Sequence, residues 1–314
     1  MVFHNKGLAR PSDAPYLGMG VGLRTKHYPH VLEHGPRGEL SVDWFEAISE
    51  NTMVPGGRPP RILDKVRAHF PVVLHGVSMN IGSTDPLDEA YLDRLDTLIR
   101  RVDPPWVSDH LCWTGVDGRT LHDLLPLPFT EETVRHVSGR ILHVQERLGR
   151  RIAIENVSSY VTFTQDEMPE WDFVAEIARR ADCGILLDVN NIFVSAHNHG
   201  YAPEAYLEGI PVDRVFQFHM AGHSEQGDLF IDTHDHPVKE EVWTLFEKAL
   251  ERFGAVSTLI EWDDHIPPFE ELEAHAARAR EIIEKVTGEV RNEPRPTGDA
   301  RNHAAPAPAA HYRA

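Results

Sequence analysis

Short apolar segments of this chain end, one after another, in side chains able to bind a metal ion. They read V-V-L-H-G with His75, V-S-D-H-L with Asp109 and His110, I-A-I-E-N with Glu155 and Asn156, L-L-D-V-N-N with Asp188, Asn190 and Asn191, F-Q-F-H-M-A-G-H with His219 and His223, and T-L-I-E-W-D with Glu261. A further stretch, I-D-T-H-D-H-P, offers Asp232, His234, Asp235 and His236, and Glu50 lies just past an earlier apolar run. A carboxylate at the end of a Val/Ile/Leu segment is costly to desolvate unless a cation or a partner compensates it. Glu155, Asp188, Asp232 and Glu261 in one place would also repel one another. Divalent cations are the simplest way to let them coexist, with neutral histidines completing the coordination. A lone strand-terminal His or Glu is usually a hydrogen-bonded or ion-paired structural residue. Six successive segment ends of this kind are hard to produce by packing and point to a metal cluster.

These ends can meet only if the elements bring them to one face. Apolar runs alternate with longer amphipathic stretches, the pattern of repeated β-α units around a parallel sheet. About eight runs are present, the number a closed (β/α)8 TIM barrel requires. The strands are expected at 20–24, 44–49, 72–76, 106–111, 152–156, 184–189, 215–219 and 257–261, with helices at 87–101, 131–148, 171–181, 239–253 and 269–286. In such a barrel the C-terminal ends of all strands converge, so residues scattered from position 75 to position 261 would share one pocket. The Pro/Gly-rich stretch at 55–60 is expected in a rim loop, and S-A-H-N-H-G at 195–200 in a loop after the sixth strand. Residues 1–287 are expected to form one α/β domain. Residues 288–314, rich in Pro, Ala, Arg and Asn, read as a disordered tail in which His303 and His311 need no function.

Composition narrows the classes of function. Of 314 residues, 49 are acidic and 31 basic, a formal charge of -18, and no Lys/Arg cluster suits a phosphate backbone, so nucleic acid is not the expected partner. No apolar window is long enough to span a membrane and the start lacks a signal-peptide pattern, so a cytoplasmic protein is expected. The two cysteines, Cys112 and Cys183, form no C-x-x-C pair, so a metal must rest on oxygen and nitrogen. Cys112, two residues beyond His110, reads as a small buried apolar residue. No dinucleotide fingerprint, G-x-S-x-G elbow or P-loop is present.

His75–Ser83 (H-G-V-S-M-N-I-G-S), Ser108–Trp113 (S-D-H-L-C-W), Ile154–Tyr160 (I-E-N-V-S-S-Y), Leu187–Asn191 (L-D-V-N-N), His219–His223 (H-M-A-G-H) and Asp232–Val238 (D-T-H-D-H-P-V) resemble the multinuclear non-haem iron-dependent oxidative enzymes, the family of the methanobactin biosynthesis oxidase, within the xylose-isomerase-like barrels. The resemblance covers about residues 15 to 287. It implies that His75, His110 and Glu155 hold one metal, that Glu155, Asp188, His219 and Glu261 hold a second with Glu155 bridging, and that Asn191, Asp232 and His234 hold a looser third, where His236 is an alternative to His234. Asp109, Asn156, Asn190 and His223 would then orient ligands or substrate in catalysis. The implied cofactor is iron, two or three ions in mixed ferrous and ferric states, although the ligand types equally allow zinc or manganese. The implied reaction uses dioxygen to remove hydrogen from the β-carbon of a cysteine in a ribosomally made precursor peptide. Known products in the family are an oxazolone with a thioamide, a thiooxazole, or excision of a carbon. A companion protein that captures the peptide's leader is also implied.

Two rivals remain at this level. A hydrolase or isomerase on the same barrel would use zinc or manganese without oxygen. A non-catalytic metal-binding protein would have complete metal shells and no turnover. Fold alone does not choose among them.

Overall fold

The computed structural model describes residues 14–288, and the expected tail lies almost wholly outside the described residues. Eight parallel strands, β1 (Met19–Gly22), β2 (Trp44–Ile48), β3 (Val72–Gly76), β4 (Val107–His110), β5 (Ala153–Glu155), β6 (Gly184–Asp188), β7 (Val215–Met220) and β8 (Ser257–Ile260), close into a barrel in sequence order. One longer helix follows each strand: α1 (Tyr28–His34), α2 (Arg58–Arg67), α3 (Glu89–Val102), α4 (Glu131–Leu148), α5 (Glu170–Ala181), α6 (Val189–His199), α7 (Glu240–Phe253) and α8 (Phe269–Thr287). The architecture is therefore the expected (β/α)8 barrel.

The helices start where capping chemistry allows. Asp88 accepts from the Tyr91 amide at the start of α3, and Thr130 accepts from the Thr133 amide at the start of α4. Their apolar stripes, such as Leu92, Leu95 and Ile99 in α3, bury against the barrel wall. Two antiparallel hairpins rise from loops that follow strands: one pairs Trp113–Val116 with Arg119–Leu125, the other Ser224–Gln226 with Leu229–Ile231. Neither was expected from the sequence.

The Ser195–Gly200 string corrects an expectation. It is the last turn of α6 and its Gly200 cap, because β6 runs straight into that helix with Asp188 as its N-cap, Oδ1 accepting from the Asn191 amide at 2.6 Å. There is no loop for it to occupy. Asn198 instead pins the second hairpin, its Oδ1 accepting from the Phe230 amide at 2.9 Å and its Nδ2 donating to the Phe230 carbonyl at 3.0 Å.

The barrel interior is layered. Trp44, Val73, Trp106, Ala153, Leu186, Phe216 and Leu259 form an apolar plug. The Trp44 and Trp106 rings meet edge to face at 5.9 Å. Gly20 of β1 makes room for Trp44, since a Cβ there would lie 2.3 Å from its ring. Side chains alternate along a strand, so positions two residues beyond the plug face the same interior nearer the C-terminal mouth. For six of the seven plug residues those positions are Glu46, His75, Ser108, Glu155, Asp188 and Glu261, all buried and polar, whereas the count from Phe216 reaches Phe218, which packs against Phe246 and Phe253 of α7.

Candidate metal centre

β3, β4 and β5 are adjacent, with His75 opposite Ser108 and His110 opposite Glu155. His75 Nε2, His110 Nε2 and Glu155 Oε2 form a triangle with sides of 3.4, 3.2 and 3.3 Å. Ligand bonds of about 2.1 Å would place neighbouring donor atoms about 3.0–3.4 Å apart, so the triangle has the size of one face of a coordination shell. The other ring nitrogens are engaged. His110 Nδ1 donates to the Gly76 carbonyl at 3.0 Å, and His75 Nδ1 lies 2.9 Å from Ser108 Oγ. Both rings therefore turn Nε2 into the mouth.

A second group shares Glu155. Its Oε1 stands 3.2 Å from His219 Nδ1, which is also 2.9 Å from Glu261 Oε2 and 3.9 Å from Asp188 Oδ2. His219 Nε2 donates to Glu46 Oε2 at 3.2 Å. That carboxylate also accepts from Gln217 Nε2 at 2.7 Å, and Gln217 Oε1 accepts from Trp106 Nε1 at 2.6 Å. A chain of hydrogen bonds thus runs from the plug to His219 and leaves its Nδ1 facing the carboxylates. Sequence reading missed Glu46. Replacing it by Gln is expected to lower metal affinity at this group about 10–100-fold, measured by competition with a chelator, because the partner that fixes the imidazole is weakened; an unchanged affinity would remove Glu46 from the account.

The third cluster sits on the loop after the second hairpin. His234 Nε2 lies 2.5 Å from Asp232 Oδ1 and 4.0 Å from Asp188 Oδ2. Asp188 thus stands between the second and third groups. His234 has φ +47°, a left-handed conformation that costs a non-glycine residue energy and recurs at functional sites. His236, the alternative ligand, points outward with half its side chain exposed and pairs with Asp235. The loop rests on Gly222, where a Cβ would lie 2.1 Å from the His236 carbonyl oxygen. Gly222→Ala is accordingly expected to displace Asp232 and His234 and to cost the third group its ion while sparing the other two, as read by elemental analysis.

The residues expected to orient the centre divide. Asn156 clamps the Asp188 backbone, Oδ1 accepting from its amide at 2.9 Å and Nδ2 donating to its carbonyl at 3.0 Å. Asn190 Nδ2 donates to Asp232 Oδ1 at 2.8 Å, and Asn190 Oδ1 accepts from His223 Nδ1 at 2.8 Å. Burial, with Lys239 nearby, lowers the His223 imidazole to about 4 and keeps it neutral at pH 7. Asp109 is not brought into the mouth. Strand alternation turns it toward the helices, where it accepts from the Met79 and His110 amides at 3.2 and 2.8 Å, and burial followed by repulsion from Glu50 raises it to about 7. Glu50 also faces away, accepting from the Val77 and Ser78 amides and from the Tyr91 hydroxyl.

The donor atoms test whether metals fit. Glu155 Oε2, Asp188 Oδ2, Asn191 Oδ1, His219 Nδ1 and His234 Nε2 are buried and have no hydrogen-bond partner, although several lie within 3.5 Å of one another. A buried acceptor without a donor is costly, and a cation among these atoms would relieve them together. Lysine or arginine does not relieve them: among the described residues none pairs with Glu155, Asp188 or Asp232, and Glu261 has Arg24 Nη2 at 3.7 Å. Oxygen and imidazole donors converging with their lone pairs inward suit divalent first-row metals. Three sets of His, Asp and Glu, namely His75, His110 and Glu155; Glu155, Asp188, His219 and Glu261; and His234, Glu261 and Asp263, are close enough to hold ions.

Barrel and mouth together define a TIM barrel with a cluster of His, Asp and Glu side chains at its C-terminal face that are placed to hold metal ions. The solved structures it resembles share that fold at low identity. They include D-psicose 3-epimerase from Clostridium cellulolyticum H10 (TM-score 0.57, 11% identity, 86% of this chain and 99% of that one) and a D-tagatose 3-epimerase-like protein (TM-score 0.56, 17% identity, 85% and 98%). Residues 18–284 match the family described as "RiPP precursor modification enzyme MbnB/TglH/ChrH", and the chain belongs to that family, whose members act on ribosomally synthesised, post-translationally modified peptides. Similar relatives are a UPF0276 protein of Anaeromyxobacter sp. (strain Fw109-5), 59% identical over 266 residues (85% of this chain, 93% of that one), and one of Caulobacter vibrioides, 53% identical over 268 residues (85% and 95%). No helix among the described residues is long and apolar enough to cross a membrane.

Proposed function

We propose that the chain is a multinuclear iron-dependent oxidase that uses dioxygen to modify cysteine residues of a precursor peptide. The observation that carries this reading is the convergence of buried donor atoms of Glu155, Asp188, His219 and His234, none of them in a hydrogen bond, in one barrel mouth, in a chain whose family acts on such peptides. His75, His110 and Glu155 would hold the first ion, Glu155, Asp188, His219 and Glu261 the second, and Asn191, Asp232 and His234 the third. Iron, when bound, supplies the electrons that activate dioxygen and an open position for a substrate thiolate.

The chain's own residues do the rest. Ser108 orients the His75 ring, Gly76 and Glu46 fix the tautomers of His110 and His219, Asn156 holds the Asp188 backbone, and the pair His223 and Asn190 holds Asp232. Both native cysteines are buried, and burial raises their thiols, so the mouth has no thiolate of its own to compete with a substrate's. The rim supports a peptide rather than a phosphorylated or small polar substrate. Val54, Leu121, Tyr160, Val161 and Leu229, exposed by 38–53%, all lie on segments that follow β2, β4, β5 and β7 at their C-terminal ends. Apolar groups held in water around a polar mouth suit the side chains of an extended peptide.

The test is anaerobic purification, loading with Fe2+, and addition of dioxygen with a cysteine-containing peptide encoded beside the gene, with and without a co-expressed neighbouring leader-binding protein. Oxygen uptake and a mass change confined to the cysteine peptide, absent for its Cys→Ser form, are expected. Turnover with zinc or manganese in the absence of oxygen would sink the proposal.

A further inference from the structure

His234 faces acidic groups with both ring nitrogens, so two different third sites can be drawn from it. Nε2 lies 2.5 Å from Asp232 Oδ1 and 4.0 Å from Asp188 Oδ2; Nδ1 lies 3.3 Å from Glu261 Oε2 and 3.1 Å from Asp263 Oδ2. The hydrogen bonds distinguish them. Nδ1 donates to Asp263 Oδ2, whereas buried Nε2, although 2.5 Å from Asp232 Oδ1, makes no contact of hydrogen-bond geometry. Asp263 grips the same residue a second time, its amide donating to the His234 carbonyl at 2.8 Å. Arg24, two residues beyond β1, holds Asp263 from the other side: Nη2 bonds Asp263 Oδ1 and Nε donates to the Trp262 carbonyl at 3.0 Å. A guanidinium committed to a carboxylate in this way disfavours its use as a metal ligand, and a carboxylate behind an imidazole fixes the ring and makes its far nitrogen a better donor.

We propose that Arg24 and Asp263 form a clasp that positions His234, directing Nε2 to the third ion, and that Asp263 is a positioning residue and not a ligand. The clasp offers an account of the left-handed His234: the backbone grip and the ring grip both require that conformation to be held. Neither residue was singled out from the sequence, and the inference rests on the three-ion reading of the mouth.

The test compares wild type, Arg24→Lys, Asp263→Asn, Asp263→Ala and Asp232→Asn, each loaded with Fe2+, desalted and analysed for iron per chain, with the melting temperature as a folding control. Arg24→Lys keeps the charge near Glu261 but loses the two-point hold, and is expected to weaken the third ion about 10-fold. Asp263→Ala is expected to weaken it about 10–100-fold, and Asp263→Asn, which keeps an acceptor for Nδ1, to restore part of the loss. Asp232→Asn should lose the same ion. In the zinc-loaded protein, nitrogen-15 NMR of His234 should find the proton on Nδ1 and the metal on Nε2. Metal on Nδ1, or a third ion that tightens in Arg24→Lys and survives Asp232→Asn, overturns the clasp. A wild-type chain that takes up no third ion at saturating Fe2+ overturns the three-ion reading, and the clasp with it.

Discussion

Glu155→Gln is expected to cost the protein two ions, whereas Asn191→Ala costs it one. Glu155 presents its two oxygens to different groups, Oε2 to His75 and His110 and Oε1 to His219, all within 3.3 Å. The amide keeps the size of the side chain but removes its charge and replaces one acceptor oxygen by a donor that must point at an imidazole lone pair or a cation. Both groups should fail together, and oxidation of peptide with them. Asn191 offers one buried unpartnered oxygen, and its Nδ2 donates to the Asn156 carbonyl at 3.0 Å, so its loss should empty the third position alone. Iron per chain after loading and desalting reads both results. Equal iron in the two variants would contradict the bridging role of Glu155.

The second large effect is a separation of metal-bound and metal-free stability that widens with pH. In the metal-free chain burial alone would lower His219, but Glu261, Glu46 and Glu155 outweigh it and hold the imidazole well above its usual range. Burial of His234 is likewise outweighed by Asp232 and Glu261. A histidine raised on folding contributes stability that is complete below its unfolded value of 6.5 and is lost as pH climbs through the folded value. Asp188, pushed up by burial, acts in the same direction, since above its ordinary range the unfolded chain ionises it more readily than the fold does. Glu261, held low because His219 and His234 outweigh its burial, loses its contribution only under acid conditions. The metal-free protein should therefore weaken above pH 6.5, while the metals, which bind deprotonated ligands, bind more tightly there. An ion at a hundredfold excess over its Kd contributes about 2.7 kcal/mol. At about 2–4 °C per kcal/mol, two or more ions should raise the melting temperature by about 10 °C or more. Melts with and without EDTA across this range measure it, and curves that coincide at every pH would remove metal from the account.

Most of the fold was legible because a parallel barrel writes its period plainly: every expected strand lies within two residues of an observed one. The site was less legible in one systematic respect. Strand ends were taken as the positions that meet, yet strands in a closed barrel are tilted and staggered, so equal depth does not mean equal distance from the end. Glu46 sits in the middle of β2, opposite Gly22 of β1, and still reaches His219, whereas Glu50, nearer the end, turns away. The signal that would have found Glu46 is the count from the plug, since it lies two residues beyond Trp44 as Glu155 lies two beyond Ala153. The same alternation, applied to Ser108 and His110, sends Asp109 outward. Arg24 and Asp263 were out of reach because their role depends on loops from opposite ends of the chain meeting where β1 closes on β8, a pairing no local pattern announces.

The depth of the centre has a cellular consequence. Glu155, Asp188 and His219 retain at most 1% of their surface to solvent, at the strand ends from which loops and two hairpins extend. On the proposed function a thiol fixed on the surface of a folded protein could not reach ions held there without bringing its neighbours against those loops. Folded proteins would thereby be spared, and selectivity would begin with whether a target can enter as a loose strand before any of its side chains is inspected.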